Sequence, residues 1–320
     1  MTTSSSNTRT SNNKRNNIAA PQGASQRIIA TIMRGTLRTL LKPMFSPAMP
    51  TPALRLGLRA LASTMFTASG IRFQPIQLGS VAGEAAASHE PSDKVVLYLH
   101  GGAYCVGSPA THRSICSYLA KASNATVFAI DYRLAPEHPY PAANDDALIA
   151  YRWLLDNGYA AGQITIAGDS AGGGLTLSTA MRLRDEDLPL PGSLIVLSPW
   201  ADLTHPTKHL PEPTGEVMLS WPTLENAVKQ YAPNHRDDPR VSPLLGDLSQ
   251  LPPTLIITGS DEILLNDSER LYSALSAADV EVRFNVYQDR WHVFPAQAGI
   301  LKSANDAIEE MAGWVNRTET

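Results

Sequence analysis

The pattern of apolar and polar positions becomes regular from Lys94 onward. Apolar runs predict buried strands at 95–99, 125–132, 164–169, 193–197, 255–259 and 280–287. Helical spacing between them predicts helices at 111–122, 141–157, 171–185, 266–278 and 297–316. Strands that alternate with helices are typical of a mostly parallel sheet flanked by helices on both faces. The sequence therefore predicts an α/β fold, with residues 71–200 and 251–320 forming its main domain.

The chain before this region has a different pattern. Residues 1–25 are rich in Thr, Ser and Asn and have little to bury, so they are predicted to be a disordered basic tail. Amphipathic spacing predicts two helices, at 27–45 and 52–67, within a cap segment covering residues 26–70. Apolar and polar residues alternate at 71–78, which predicts an edge strand. A further strand is expected within 80–90, but that stretch is too rich in Ala and Gly for its ends to be predicted.

One later segment interrupts the alternation of strands and helices. Residues 201–250 contain seven prolines and a single predicted helix, at about 222–231. An insertion after a strand is expected to lie over the carboxyl ends of the sheet, where open α/β folds bind ligands. We therefore predict that 201–250 forms a cap or lid, which the N-terminal helices complete.

The charge is distributed unevenly along the 320 residues, whose net charge is −4. Residues 1–83 contain ten Lys and Arg and no acidic residue, which leaves sixteen basic against thirty acidic residues in the remainder. The basic N-terminus has three interpretations: a transit peptide, an amphipathic stretch on an anionic membrane surface, or a tail followed by a helix that covers the site. The third is favoured, and weak peripheral membrane contact stays open. The acidic remainder argues against nucleic-acid binding.

The composition narrows the class of protein further. No apolar run is long enough for an integral membrane segment. The only two cysteines, Cys105 and Cys116, do not make a disulfide framework, and no Cys/His spacing indicates a zinc site. We therefore expect a cytoplasmic protein that needs no metal and no cofactor.

The stretch Gly168-Asp169-Ser170-Ala171-Gly172 lies between a predicted strand and a predicted helix. It fits the G-x-S-x-G turn, which lifts a serine off the end of a strand in a strained conformation that requires small neighbours. The serine then stands at a helix N-terminus, where the helix dipole favours negative charge. Ser170 is the predicted nucleophile.

A serine nucleophile needs a base and an acid that orients the base. His292 is the only histidine beyond residue 235 and is the predicted base. Asp261 directly follows the strand at 255–259 and is the predicted acid. Glu262 and Asp267 are its rivals: Glu262 comes one residue late for the same side-chain direction, and Asp267 falls inside the next helix.

Backbone amides near the serine are the predicted oxyanion hole. His100-Gly101-Gly102-Ala103 follows the 95–99 strand, and glycines there allow close approach of a ligand. The predicted oxyanion hole comprises Gly101, Gly102, Ala103 and Ala171. Gly102, Ala103 and Ala171 are its predicted donors, and Gly101 sets the turn. The predicted substrate-binding side chains are Tyr104, Trp200, Leu203, Met218, Trp221 and Phe294.

Three blocks, at 100–103, 131–137 and 168–172, resemble the signatures of the hormone-sensitive-lipase-like esterases, the bacterial family IV of lipolytic enzymes. The resemblance covers about residues 70–315. It implies an α/β-hydrolase fold with a helical cap. It also implies a serine carboxylesterase that hydrolyses short- to medium-chain esters without a cofactor, through an acyl-enzyme on Ser170 with Asp261 and His292. Members of the family often form homodimers through the last strand and helix.

The resemblance leaves alternatives open. A lactonase, a deacetylase or an amidase shares the same residues and differs in pocket shape. Plant gibberellin receptors resemble this family without being catalytic, but they lack the histidine that is present here as His292. Three positions depart from the usual motifs. Ala103 replaces a glycine of the oxyanion loop, Glu262-Ile263-Leu264 follows the predicted acid where Pro-Leu is usual, and Val293 replaces the glycine after the base. A small-molecule ester remains the expected partner.

Overall fold

A computed structural model describes residues 13–205 and 207–317. Its centre is a nine-stranded sheet with the order β1-β9-β8-β7-β6-β4-β5-β3-β2. The strands are β1 Lys14–Ile18, β2 Arg72–Leu78, β3 Val81–Ala87, β4 Val95–Leu99, β5 Thr126–Ile130, β6 Ile164–Asp169, β7 Ser193–Leu197, β8 Thr254–Gly259 and β9 Val282–Tyr287. Strand β3 pairs antiparallel with both of its neighbours, and the other pairs are parallel.

Helices cover both faces of this sheet. The helices are α1 Ala24–Thr36, α2 Lys42–Met44, α3 Thr51–Ala62, α4 Arg113–Ser123, α5 Ala142–Asp156, α6 Ala171–Asp185, α7 Trp221–Tyr231, α8 Leu265–Ala277 and α9 Lys302–Val315. A π-helical stretch, Leu37–Leu41, joins α1 to α2. Helices α5, α6 and α8 contribute to the core on one face, and α4 and α9 to the core on the other. The predicted α/β-hydrolase architecture is confirmed.

The burial of each strand explains its sequence pattern. Every residue of β4, β6, β7 and β8 is buried, because helices cover both faces, and these strands are accordingly almost continuous apolar runs. Strand β2 lies at one end of the sheet, as predicted for an edge strand, and most of its side chains are exposed or half-buried.

The opposite edge of the sheet corrects the prediction for the N-terminus. Residues 1–25 were expected to be disordered, but Lys14–Ile18 forms β1, which runs parallel to β9. The Gln288 N–H donates to the Ile18 carbonyl at 2.9 Å, and the Asn16 amide donates to Asn285 Oδ1 at 2.8 Å. A polar segment forms an edge strand when an existing sheet supplies its hydrogen-bond partners, and local composition does not reveal this. Residues 1–12 of the predicted tail lie outside the described residues.

Strand β1 also bears on assembly. An unpaired edge strand presents free N–H and C=O groups that pair with other chains. In this fold β1 occupies that edge of β9, and an ion pair between Arg15 and Glu269 at 2.8 Å accompanies the pairing. A dimer through the last strand, which the family resemblance implies, therefore requires β1 to leave.

Deleting residues 1–20 is expected to expose β9 and to cause self-association. Size-exclusion chromatography with light scattering measures the effect, and the shortened chain is expected to run as a larger species than the full chain. Deletion of residues 1–12 is the matched control, because it leaves β1 intact. If both deletions behave like the full chain, β1 does not protect this edge.

Candidate active site

Ser170 occupies the turn between β6 and α6 in a strained conformation. Its φ is 52° and its ψ is −120°, a region that L-residues rarely adopt. The backbone around it holds this conformation. The Ser170 N–H donates to the Leu197 carbonyl at 2.8 Å, and the Ser170 carbonyl accepts from the Trp200 N–H at 2.9 Å. The side chain therefore stands at the N-terminus of α6, as the motif predicts.

The two glycines of the motif are required by close backbone contacts. A Cβ atom on Gly172 would overlap the Leu99 carbonyl oxygen, and one on Gly168 would overlap the Gly172 carbonyl oxygen. Leu99 is the last residue of β4, which pairs directly with β6. The turn that carries Ser170 is thus packed against the start of the glycine-rich loop at 100–103.

Asp169 joins this turn to the glycine-rich loop. Its buried carboxylate accepts from the Tyr98 hydroxyl at 2.9 Å and from the Gly101 N–H at 3.0 Å, and it lies 3.4 Å from His112 Nε2. Burial raises the pKa of Asp169, but the charge and hydrogen bond of His112, with the Tyr98 hydrogen bond, outweigh burial and bring that pKa below its ordinary value. Gly101 was counted in the oxyanion hole, but its N–H is committed to Asp169.

The other predicted donors remain available. Among the described residues, the N–H groups of Gly102, Ala103 and Ala171 donate to no protein acceptor. Gly102 and Ala103 line the same cavity as Ser170. Both have positive φ, at 118° and 52°, so Ala103 takes a conformation that usually favours glycine. Three amides near the serine are thus free to bind an oxygen.

Helix α3 holds the glycine-rich loop from outside. Arg55 donates through Nε to the Cys105 carbonyl and through Nη2 to the Ala135 carbonyl, both at 2.8 Å. The same guanidinium forms an ion pair with Glu137 at 2.8 Å. The N-terminal cap segment therefore supports the loop that carries two of the free amides.

His292 lies beside Glu262. Its Nδ1 is 3.3 Å from Glu262 Oε1, and both side chains are buried. The other carboxylate oxygen of Glu262 accepts from the Ser198 hydroxyl at 2.7 Å and from the Gly259 N–H at 2.9 Å. These two donors fix the carboxylate and leave Oε1 facing the imidazole. His292 also lines the cavity that contains Ser170.

The prediction of Asp261 as the acid beside His292 is wrong in this structure. The Asp261 carboxylate is half-buried and pairs with Arg34 of α1 at 2.7 Å. The Asp261 N–H donates to the Arg290 carbonyl at 2.8 Å, so the chain turns immediately after β8 and Asp261 points toward the cap. Glu262, the alternative acid named from the sequence, lies beside His292 instead. Its side chain is one methylene longer than that of Asp261, which lets the carboxylate reach the imidazole from one residue further along the chain.

The environment of His292 raises its pKa above the ordinary 6.5. Burial acts in the opposite direction, since it disfavours the charged imidazolium. The hydrogen bond and charge of Glu262, together with the charges of Glu216 and Asp169, outweigh burial. The buried Glu216 accepts from the N–H groups of Met218 and Leu219 in the cap and of Ile263 beside the acid.

The cavity above Ser170 has a volume of about 310 Å³ and largely apolar walls. Most of its apolar side chains come from the N-terminal helices, with others from the cap and the histidine loop: Met33, Leu37, Leu41, Phe45, Leu58, Leu61, Met218, Leu219, Leu224 and Val293. Val293 has φ 52° and ψ 39°, so its side chain replaces the usual glycine in a left-handed conformation beside His292. The N-terminal segment thus forms a wall of the site.

Of the six predicted substrate-binding side chains, Met218 lines this cavity. The other five do not, and the prediction is wrong for them. Tyr104 stacks on Tyr231 with centroids 3.8 Å apart, Trp200 stacks on His205, Trp221 lies beside His205, Phe294 packs against Tyr287, and Leu203 is fully buried. Proximity to a motif in the sequence did not distinguish lining residues from core. The apolar face of the amphipathic segment at 27–67 is the sequence signal that could have identified the missed lining residues.

Two further observations concern the described part of the chain, 13–205 and 207–317. No group of three or more His, Cys, Asp or Glu side chains is arranged there to hold a metal ion. No helix in these ranges combines the length and the apolar character needed to cross a bilayer.

Comparison with known proteins identifies the family. The family model described as "alpha/beta hydrolase fold" matches residues 96–296. An esterase of Acinetobacter venetianus is 35% identical over 88% of this chain and 93% of its own length. An acetyl-hydrolase of Streptomyces hygroscopicus is 39% identical over 77% of this chain and 82% of its own length. A solved hormone-sensitive lipase from a metagenome library superposes with a TM-score of 0.85 at 36% identity, over 91% of this chain and 97% of that one. The chain belongs to the α/β-hydrolase fold family, among its hormone-sensitive-lipase-like esterases, as the sequence motifs predicted.

Proposed function

We propose that this esterase hydrolyses short- to medium-chain carboxylic esters through an acyl-enzyme on Ser170. His292 is the general base, and Glu262 orients it. The observation that supports these roles is the position of a strained serine in the same cavity as a histidine whose Nδ1 faces a buried carboxylate. Such an arrangement is suited to acyl transfer.

The proposed reaction begins with neutral His292, whose Nδ1–H donates to Glu262. Nε2 takes the proton from Ser170 as its oxygen attacks the ester carbonyl. The N–H groups of Gly102, Ala103 and Ala171 bind the oxyanion. The alcohol then leaves with the proton from His292, water attacks the acyl-enzyme by the same route, and the carboxylic acid is released.

The size of the cavity supports short and medium acyl chains. Its volume of about 310 Å³ lies at the low end of the range for small-molecule sites, and its walls are apolar. The Val293 side chain occupies space beside His292 that a glycine would leave open. A small ester with an apolar acyl group matches these walls.

The proposal extends to location and assembly. Cys105 and Cys116 are both free and buried, which suits a reducing compartment, and we place the enzyme in the cytoplasm. With β1 paired to β9, the edge needed for a dimer through the last strand is occupied. We therefore infer that the chain with β1 in place does not dimerise through that edge.

Glu262→Gln is expected to lower kcat by about 10³–10⁴-fold, because an amide no longer holds His292 in the required tautomer. Asp261→Asn is the matched control. It removes a half-buried ion pair to Arg34, so we expect about 1 kcal/mol or less of lost stability and kcat within about threefold of the wild type. Kinetics with p-nitrophenyl butyrate measure both variants. A larger loss in the Asp261 variant would reverse the assignment of the acid.

The pH dependence of kcat/KM is expected to follow His292. Because the base must be neutral and its pKa is raised above 6.5, activity falls as the pH drops through a value above 6.5. Glu262→Gln removes the largest contribution that raises this pKa, so the acid limb moves to lower pH. Rates between about pH 5.5 and 9 measure the shift, and NMR titration of His292 in the Ser170→Ala protein checks it independently. An acid limb that stays in place would contradict the pairing.

A panel of p-nitrophenyl esters tests the acyl pocket. We expect kcat/KM to be highest between acetate and octanoate and at least about tenfold lower for palmitate, which exceeds the cavity. Leu37→Trp fills part of the cavity and is expected to reduce octanoate hydrolysis more than acetate hydrolysis. Leu40→Trp, three residues later on the exposed face, is the control and is expected to leave the rates of octanoate and acetate hydrolysis unchanged. Faster turnover of lactones or anilides than of every ester would instead favour the lactonase or amidase alternatives.

A further inference from the structure

Exposed large apolar side chains are concentrated in the N-terminal cap segment. The described residues include eight exposed large apolar side chains, and six of them lie between residues 28 and 66. We refer to these six as the cap-helix face: Ile28, Ile32, Leu40, Met49, Leu56 and Phe66. Leu56 is 71% exposed, Ile32 64% and Phe66 61%. Single exposed apolar residues are ordinary, whereas a concentration of them marks an interaction surface.

Part of the cap-helix face lies at the entrance to the active-site cavity. Thr36 and Phe66 both line the cavity and are themselves exposed, so they stand at its mouth. Ile32 and Leu40 lie four residues before and after Thr36, on the same side of the helical segment. Because the inner side of this segment forms a wall of the cavity, the exposed Ile32 and Leu40 side chains face outward beside the opening.

The charge that this segment carries without a carboxylate partner is positive. Arg27 and Arg59 are exposed and form no ion pair among residues 13–205 and 207–317, whereas the exposed Arg38 donates to the carbonyls of Thr214 and Glu216. No acidic residue occurs in residues 1–83. A second copy of this chain would present the same positive charge, which disfavours contact between two such faces. An anionic surface is complementary to it.

We propose that the cap-helix face docks on the surface of an anionic lipid bilayer and turns the cavity entrance toward the lipid. The exposed apolar side chains enter the interface, and the neighbouring Arg27 and Arg59 contact lipid headgroups. Apolar ester substrates then pass from the bilayer into the apolar cavity without crossing water. The docking is reversible, because it rests on a few side chains.

Vesicle co-sedimentation tests the docking with the full-length Ser170→Ala protein, so that the result does not depend on catalysis. We expect binding to phosphatidylcholine vesicles that contain about 30% phosphatidylglycerol and at least about tenfold weaker binding to phosphatidylcholine alone. Raising NaCl from about 0.1 to 0.5 M is expected to weaken the binding, since salt screens headgroup attraction. No binding to the anionic vesicles at low salt would overturn the proposal.

Two side-chain variants locate the docking face. Ile32→Ser/Leu40→Ser is expected to reduce the vesicle partition coefficient by at least about tenfold, because two apolar side chains no longer enter the interface. Leu245→Ser is the matched control, since Leu245 is an exposed apolar residue outside this face, and it binds like the parent. When Ser170 is retained, the double variant is expected to hydrolyse dissolved p-nitrophenyl butyrate at the wild-type rate. This activity also shows that the double variant is folded. Equal vesicle binding by both variants would contradict the assignment.

Light scattering tests the alternative that a second copy of this chain covers the cap-helix face. If the full chain is a dimer that the Ile32→Ser/Leu40→Ser change converts to a monomer, and it does not bind vesicles, the face is a self-interface and the lipid proposal fails. Leu56→Ser on α3 serves as an independent variant if the double change prevents folding.

Discussion

The contact between Gly172 and the Leu99 carbonyl sets the spacing on which the site depends. Leu99 ends β4, and the residues after it form the loop that supplies two free amides, while Gly172 follows Ser170 by two positions. Because no side chain fits between the two backbones, the nucleophile and the amides are held on adjacent strands. Asp169 strengthens the junction by accepting the Gly101 N–H. The buried sheet therefore holds Ser170 in its strained backbone conformation.

The buried carboxylate at Glu262 is the second constraint. A buried charge is costly unless it is paired and hydrogen-bonded, and here the Ser198 hydroxyl and the Gly259 N–H satisfy one oxygen while His292 faces the other. Ser198 also accepts from the Val293 N–H at 3.1 Å. One hydroxyl thus positions both the acid and the loop that carries the base. The raised pKa of His292 follows from this arrangement, not from burial.

Local sequence predicted the parts of the fold that local patterns determine. Strand β6, helix α6 and strand β7 begin and end at the predicted residues, because each is an apolar or helical pattern bounded by a turn. The acid was assigned one residue early, since the direction of Asp261 depends on Arg290 and Arg34, which are distant in the sequence. The N-terminal strand was missed for the same reason, as the strand with which it pairs, β9, is distant in the sequence.

Arg34 shows why the N-terminal segment belongs to the site and is not simply a cover. Its guanidinium pairs with Asp261 at 2.7 Å and donates to the carbonyls of Gly215 and Asp289 at 3.0 Å each. Helix α1 is thereby joined to the acid loop, the cap and the loop that leads to His292. The same helix carries part of the exposed apolar face. A displacement of α1 would therefore act, through the Arg34 side chain, on the loops that lead to the base and to its carboxylate partner.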